Sequence, residues 1–200
     1  MRLARSLLVL AILCISTAAA AQEVGYGVKG GLNLATLSFD PDPGADFGIR
    51  PGVVLGGFVS IPMGPRLTIQ PEGLFSQKGA NASEEGADAW IRLDYLEVPV
   101  LVQYAVTSSS TNTFNVFAGP SLAFKLKARS GAEFGEDSFE EDISEGTESF
   151  DFGVVFGAGV NVGRFSVDGR YTFGLSNINT DTEEGKIKNR TLAFLAGYRF

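Results

Sequence analysis

From residue 24 to its end, the chain alternates apolar and polar side chains one position at a time. The alternating stretches are about ten to fifteen residues long and are separated by segments rich in Gly, Asp, Ser and Glu, the pattern of half-buried β-strands joined by turns. Eight stretches are expected, near 24–35, 47–61, 66–78, 90–106, 113–128, 149–163, 164–178 and 188–200. No 3.6-residue periodicity competes with them. In the fifth stretch Phe114, Val116, Ala118, Pro120, Leu122, Phe124 and Leu126 share one face. Asn115, Gly119, Ser121, Ala123, Lys125 and Lys127 share the other, and Phe117 is its one large exception. The sixth sets Phe150, Phe152, Val154 and Phe156 against Asp151, Gly153 and Gly157.

The connections sort by length. Met63–Pro65, Gly163–Arg164 and 107–112 are short, whereas 36–46, 79–89, 130–148 and 179–187 are longer and acidic. Short turns at one end and long loops at the other are expected of a transmembrane barrel with its short turns in the periplasm. Side-chain size sets which face points outward. The apolar face carries Phe, Tyr, Val and Leu, and the polar face is dense in Gly, Ser, Ala and Asn. The interior of an eight-stranded barrel is just wide enough for side chains to fill, so the large rings belong outside, against lipid. Placed this way, Tyr26, Tyr104, Phe114, Phe165, Tyr198 and Phe200 form one aromatic belt, and Phe75, Trp90, Phe124, Phe150, Phe152 and Phe173 a second. Two belts are expected where rings meet the lipid–water boundary. The reading is therefore an all-β, eight-stranded antiparallel up-and-down transmembrane β-barrel.

Some positions resist the pattern. Pro51, Pro71, Pro99 and Pro120 fall inside strands, and each is expected to mark a bulge or a local break in the ladder. Arg92 and Asp94 share parity with Leu96 and Val98 on the lipid face. That requires a bulge near Tyr95 or a position beyond the membrane, because a lipid-facing Arg at mid-depth costs about 2–4 kcal/mol.

The first 21 residues do not fit the strand pattern. Arg2 and Arg5 precede the apolar run Leu7–Ile15, and Ala19-Ala20-Ala21 offers a cleavage site before Gln22, as in a secretory signal peptide. The expected division is residues 1–21 as leader and 22–200 as barrel. Cys14, the one cysteine, leaves with the leader, so no disulfide framework or Cys-based metal site is expected. The chain has 200 residues and no histidine, which excludes Ser-His-Asp triads, His zinc sites and imidazole proton relays. Its formal net charge of −7 argues against non-specific nucleic-acid binding. The four long connections hold 17 of the 23 acidic residues and one base, Lys186, so the rest of the mature chain is net basic.

Several motifs are similar to the PorT-like outer-membrane β-barrel family. They are Gly27-Val28-Lys29-Gly30-Gly31-Leu32-Asn33, Gln70-Pro71-Glu72 with Ser76-Gln77-Lys78-Gly79, Leu93-Asp94-Tyr95-Leu96-Glu97-Val98-Pro99, Phe117-Ala118-Gly119-Pro120 and Gly197-Tyr198-Arg199-Phe200. The resemblance runs from about residue 24 to 200 and implies an eight-stranded barrel in the outer membrane of a Gram-negative bacterium. It implies no reaction. The end of the chain also resembles the signal read by the barrel-assembly machinery, with Phe200 terminal and Tyr198 two residues before it; Leu195 stands where that signal usually has glycine.

The charges placed on the inward face are Lys29, Arg50, Glu72, Lys78, Glu97, Lys125, Lys127, Asp151, Asp168, Arg170 and Arg199. One reading is a paired network that closes the bore. The other is an ion path or a catalytic carboxylate pair such as Glu72 and Glu97. Without a base to activate a Ser hydroxyl, no enzyme is expected and no cofactor is implied. Asp40, Asp42 and Asp46, and the segment 179–185, hint at calcium but miss the EF-hand spacing, so no metal site is assigned. The sequence thus points to a non-enzymatic outer-membrane barrel with a filled lumen. Its expected partners are lipid, the assembly machinery during insertion and an unidentified extracellular or periplasmic protein met through the acidic loops. The alternatives are a small outer-membrane enzyme and a soluble lipocalin-like carrier with inside and outside exchanged.

Overall fold

The computed structural model describes residues 24–41, 47–84, 87–109, 112–134, 137–180 and 185–200. The expected leader, residues 1–21, lies outside them. The strands are β1 (Gly25–Asp40), β2 (Phe47–Pro62), β3 (Leu67–Glu84), β4 (Ala87–Ser108), β5 (Asn112–Phe134), β6 (Asp137–Asp142), β7 (Phe150–Val162), β8 (Phe165–Gly174) and β9 (Lys186–Arg199). Eight of them close a ring in the order β1-β2-β3-β4-β5-β7-β8-β9, all antiparallel, with β9 pairing back onto β1. Closure leaves no free edge around the ring, which is what lets strands stand in lipid without unpaired backbone groups.

Two expectations are corrected. The segment 79–89 is not a long loop, because β3 and β4 stay paired as far as Glu84 and Ala87. The segment 130–148 contains the end of β5 and the whole of β6, which pairs only with Arg129–Phe134 of β5 and stands outside the ring. β8, at 10 residues, is the length of one membrane crossing, whereas β4 and β5 have 22 and 23. A tilted crossing takes about 9–11 residues, so β3–β6 project as a sheet past the end of the barrel opposite the start of β1 and the end of β9. We call that the far end, and the one where β1 begins and β9 ends the near end.

The outer wall is apolar. Val28, Leu32, Leu55, Val102, Val154, Phe156, Val167 and Phe194 are all exposed on it. The soluble-carrier alternative needs the reverse arrangement. The near-end belt is a run of ring contacts, Tyr26–Phe200 at 5.6 Å, Phe200–Tyr198 at 5.7 Å and Tyr198–Phe165 at 5.2 Å. Phe117 turns inward and is buried, as its parity requires.

The prolines split. Only Pro51 coincides with a register shift, between Ile49 and Val54. Beside Pro71 and Pro99 the β3–β4 pairing skips 72–73 against 98–99 with unchanged register. Beside Pro120 the β4–β5 pairing skips 100–101 against 119–120. A missing N–H therefore interrupts the ladder without displacing it. At Asp94/Tyr95 the shift comes from β5, where Leu126 is the extra residue: Lys125 pairs with Tyr95 and Lys127 with Asp94. β4 keeps its parity, so Arg92 and Asp94 stay on the outer face, where the Gln77 amide donates to Asp94 Oδ1 at 3.0 Å.

Candidate functional site

The alternation of β8 sends Asp168 and Arg170 inward, that of β1 sends Lys29, and the Gln-x-Glu-x-Leu-x-Ser-x-Lys run of β3 sends Gln70 and Glu72. These strands are not neighbours, yet their charges meet across the lumen. Glu72 Oε1 accepts from Lys29 Nζ at 2.8 Å and from the Gln70 amide at 2.7 Å, and Oε2 accepts from Arg170 at 2.7 Å. Asp168 accepts from Arg170 Nε at 2.8 Å and from Lys29 at 3.2 Å. The four charges sum to zero and all are buried. Buried ions are tolerable only when each is paired and hydrogen-bonded, and here each carboxylate meets both cations. Two rings cover the cluster: Phe58 lies 5.1 Å from Lys29 Nζ, and Phe117 lies 5.4 Å from the Arg170 guanidinium. Each ring pairs across the ladder with a glycine, Gly27 and Gly157. A Cβ at either glycine would come within 2.6–2.7 Å of the ring, so glycine is required there by close approach.

Toward the far end, Lys78 and Glu97 pair at 3.1 Å, and Ser121 donates to Glu97 at 2.9 Å. Above them the Asn189 amide donates to Asp151 at 2.9 Å and to the Tyr95 hydroxyl at 3.3 Å, and Ser176 donates to Asp151 at 2.7 Å. Apolar groups separate these layers, among them Leu74 with Leu195 and Leu101 with Val155. The lumen is thus part aliphatic, which the polar-inside expectation missed. Leu93 and Tyr95 share parity with Glu97, and that was the signal available in the sequence.

Not every inward charge is where the alternation put it. Arg50 precedes the β2 register shift, and its guanidinium lies 6.0 Å from the Trp90 ring, on the outer face with Arg92. Lys127 is exposed, because the extra residue Leu126 turns it to the side of Asp94. Lys125 stays inward, and among the described residues it pairs with no carboxylate; its ammonium donates to the carbonyls of Ser144 and Thr147. Arg199 is exposed at the near-end mouth. Glu72 and Glu97 do not form a pair, since each is held by its own cation.

Two cavities flank the layered lumen. The near-end one, about 460 Å³, is polar and ends on Lys29, Gln70, Asn115 and Asp168. The far-end one, about 120 Å³, is lined by Leu37, Ile91, Leu93, Ile143, Ile178 and Ile187 together with Gly146, Thr147 and Asn179. Among the described residues no group of three or more Cys, His, Asp or Glu is placed to hold a metal. Asp42, Asp46, Asp181, Glu183 and Glu184, from the calcium reading, lie outside those residues.

At the far end, Asp142 closes β6. The Ser144 side chain and then its backbone N–H hold the Asp142 carboxyl below the usual carboxylate range. A carboxyl lowered on folding stabilises above its unfolded value, and that contribution is lost as pH falls through the folded value. We expect the protection factor of the Ser144 amide, its exchange rate corrected for the intrinsic pH dependence, to be high at neutral pH and to fall in acid, whereas that of Asp142→Asn should stay flat. Parallel pH profiles in the two proteins would remove the link.

The outer membrane protein beta-barrel domain family matches the sequence over residues 20–179. No curated protein matches it. Among solved structures, Ail, the attachment invasion locus protein of Yersinia pestis, aligns at 16% identity over 90% of this chain and 100% of that chain, with a TM-score of 0.48. Neisserial surface protein A aligns at 12% identity over 90% and 100%, with a TM-score of 0.48. OprG from Pseudomonas aeruginosa aligns at 13% identity over 88% and 95%, with a TM-score of 0.42.

Proposed function

Because the chain belongs to the outer membrane protein beta-barrel domain family and resides in the outer membrane, we propose that it is a closed, non-enzymatic barrel acting through its acidic far end. One observation carries this reading. The Lys29–Glu72–Arg170–Asp168 cluster joins β1, β3 and β8 across the bore and separates the two cavities. The buried carboxylates of that cluster are neutralised, and Glu97, the acceptor of Ser121, is neutralised by Lys78; Asp151, the acceptor of Ser176, is held by the Asn189 amide on its other oxygen.

The near end carries the tight turns at Met63–Pro65 and Gly163–Arg164, which favours the periplasm for that side and the cell exterior for the projecting sheet. Residues 1–21 act as the export leader, and Tyr198 and Phe200 serve recognition during assembly. The motifs favour the PorT-like branch of that family. The exterior then presents Glu133, Glu140, Glu141, Asp142 and Glu145, with Arg129 paired to Glu140 at 2.8 Å. Such a surface suits a cationic protein face and repels anionic ones.

Two measurements test the proposal. In planar bilayers the purified barrel should show no steady conductance steps; regular steps would contradict a closed bore. In intact cells, a photo-crosslinker replacing Phe139, which is 65% exposed on β6, should capture a discrete protein in a salt-sensitive manner. Adducts to lipid alone would count against a protein partner.

A further inference from the structure

The far-end cavity is built from six branched aliphatic side chains, at the end of the barrel where the sequence is most acidic. Leu37 comes from β1, Ile91 and Leu93 from β4, and Ile187 from β9. Ile143 and Ile178 come from the two connections that fold over the barrel mouth. These connections are tied to each other and to the wall. Thr147 bridges to Asn179, the Glu148 N–H donates to the Ile178 carbonyl at 2.8 Å, and the Ile178 N–H donates to the Ile187 carbonyl at 2.9 Å. The Thr180 N–H donates to the Gly146 carbonyl at 3.3 Å, and Lys125 holds the Ser144 and Thr147 carbonyls from below. These backbone polar groups of the roof are thus occupied by one another, and the surface facing the cavity is mainly aliphatic, with Thr147 and Asn179 at its margin.

Water gains little in such a space, because it needs two to four polar partners. An engineered cavity of about 150 Å³ lined by Leu, Ile and Phe stays dry and binds benzene. The present cavity, about 120 Å³, is of that order; it is open on one side, and its lining is aliphatic apart from Gly146, Thr147 and Asn179. It stands apart from the Lys29–Glu72–Arg170–Asp168 cluster, with the Lys78–Glu97 and Tyr95–Asn189–Asp151 layers between them. The geometry points to a binding site for a small uncharged hydrocarbon group: a single aromatic ring or the last few carbons of an alkyl chain. The surrounding acids disfavour a ligand whose charge is an anion close to that group. The group can come from a free small molecule outside the cell or from the chain end of a membrane lipid, and the chemistry of capture is the same.

The test uses the full mature barrel in phospholipid nanodiscs with labelled Ile and Leu methyl groups. Benzene is titrated from solution. The expected result is saturable shifts at Ile143, Ile178 and Leu93, with outward-facing Leu32 and Leu55 changing only linearly with benzene in the lipid. Leu93→Phe and Ile178→Phe, which fill the space from opposite walls, should each weaken the saturable response at least tenfold. Both are checked for native heat-modifiable gel mobility, so that one misfolded variant leaves the other informative. A second preparation carries a nitroxide at the acyl-chain terminus of the nanodisc lipid. Broadening of Ile178 beyond that of Leu32 identifies the lipid as the source, and saturable benzene binding without it identifies a free molecule. Purely linear benzene shifts with no selective broadening, or saturable shifts that survive both filling variants, overturn the site.

Discussion

Glu72→Ala should lower the unfolding free energy of the inserted barrel by about 3–5 kcal/mol, the usual cost of removing one partner from a buried ion pair. Glu72 is 3% exposed and accepts from both Lys29 and Arg170. Its removal leaves two cations sharing Asp168 alone in a space that water enters poorly. The measurement is the urea midpoint of folding in liposomes, followed by heat-modifiable mobility. A variant in which Lys29, Glu72, Asp168 and Arg170 are all replaced by neutral side chains of similar size should recover much of the loss. The penalty arises from uncompensated charge rather than from missing attraction. An unchanged midpoint for Glu72→Ala would mean that the cluster is hydrated and does not close the bore.

The second large effect concerns the outer wall. Val100 and Val106 both face outward from β4, but Val100 sits mid-strand opposite Pro71, and Val106 is the extra residue near the last turn of the ladder. Val100→Arg should destabilise by about 2–4 kcal/mol and Val106→Arg by about 0–1 kcal/mol, because the cost of a lipid-facing cation falls from the bilayer midplane to its edge. Both are read from the same folding titration. Equal effects would refute the depth assignment, and no effect at Val100 would refute the outward face.

The lumen charges show where the alternation was legible and where it was not. Parity alone places Lys29, Glu72, Asp168 and Arg170 inward, and the structure has them inward and in contact. Parity could not say that residues on β1, β3 and β8 meet, because strands two or more apart in the ring touch only through the lumen. Arg50 and Lys127 were misassigned for a local reason. Each lies where one extra residue in its strand inverts the parity, and a single inserted residue moves every side chain beyond it to the other face. Pro51 marked the first of these shifts in the sequence. Nothing at Leu126 marked the second, because the extra residue is itself apolar and suits lipid.

The loop lengths divide in the same manner. The acidic stretches 79–89 and 130–148 carry turn-rich composition, yet their backbones continue as β3, β4, β5 and β6. Polarity there reports contact with water on both faces of the projecting sheet, and a strand solvated on both faces loses the alternation by which strands are read.

By itself, the sequence determined the strand class, the outward apolar face, the near-end aromatic belt and the inward placement of Lys29, Glu72, Asp168 and Arg170. All follow from the two-residue period of a strand and from the size of the side chains on each face. Only the tertiary structure decided which charges neutralise one another, that the ladder slips at Leu126 and that the far end carries an aliphatic pocket. Those features depend on ring closure, which sets the distance across the lumen and brings together residues more than a hundred positions apart in the chain.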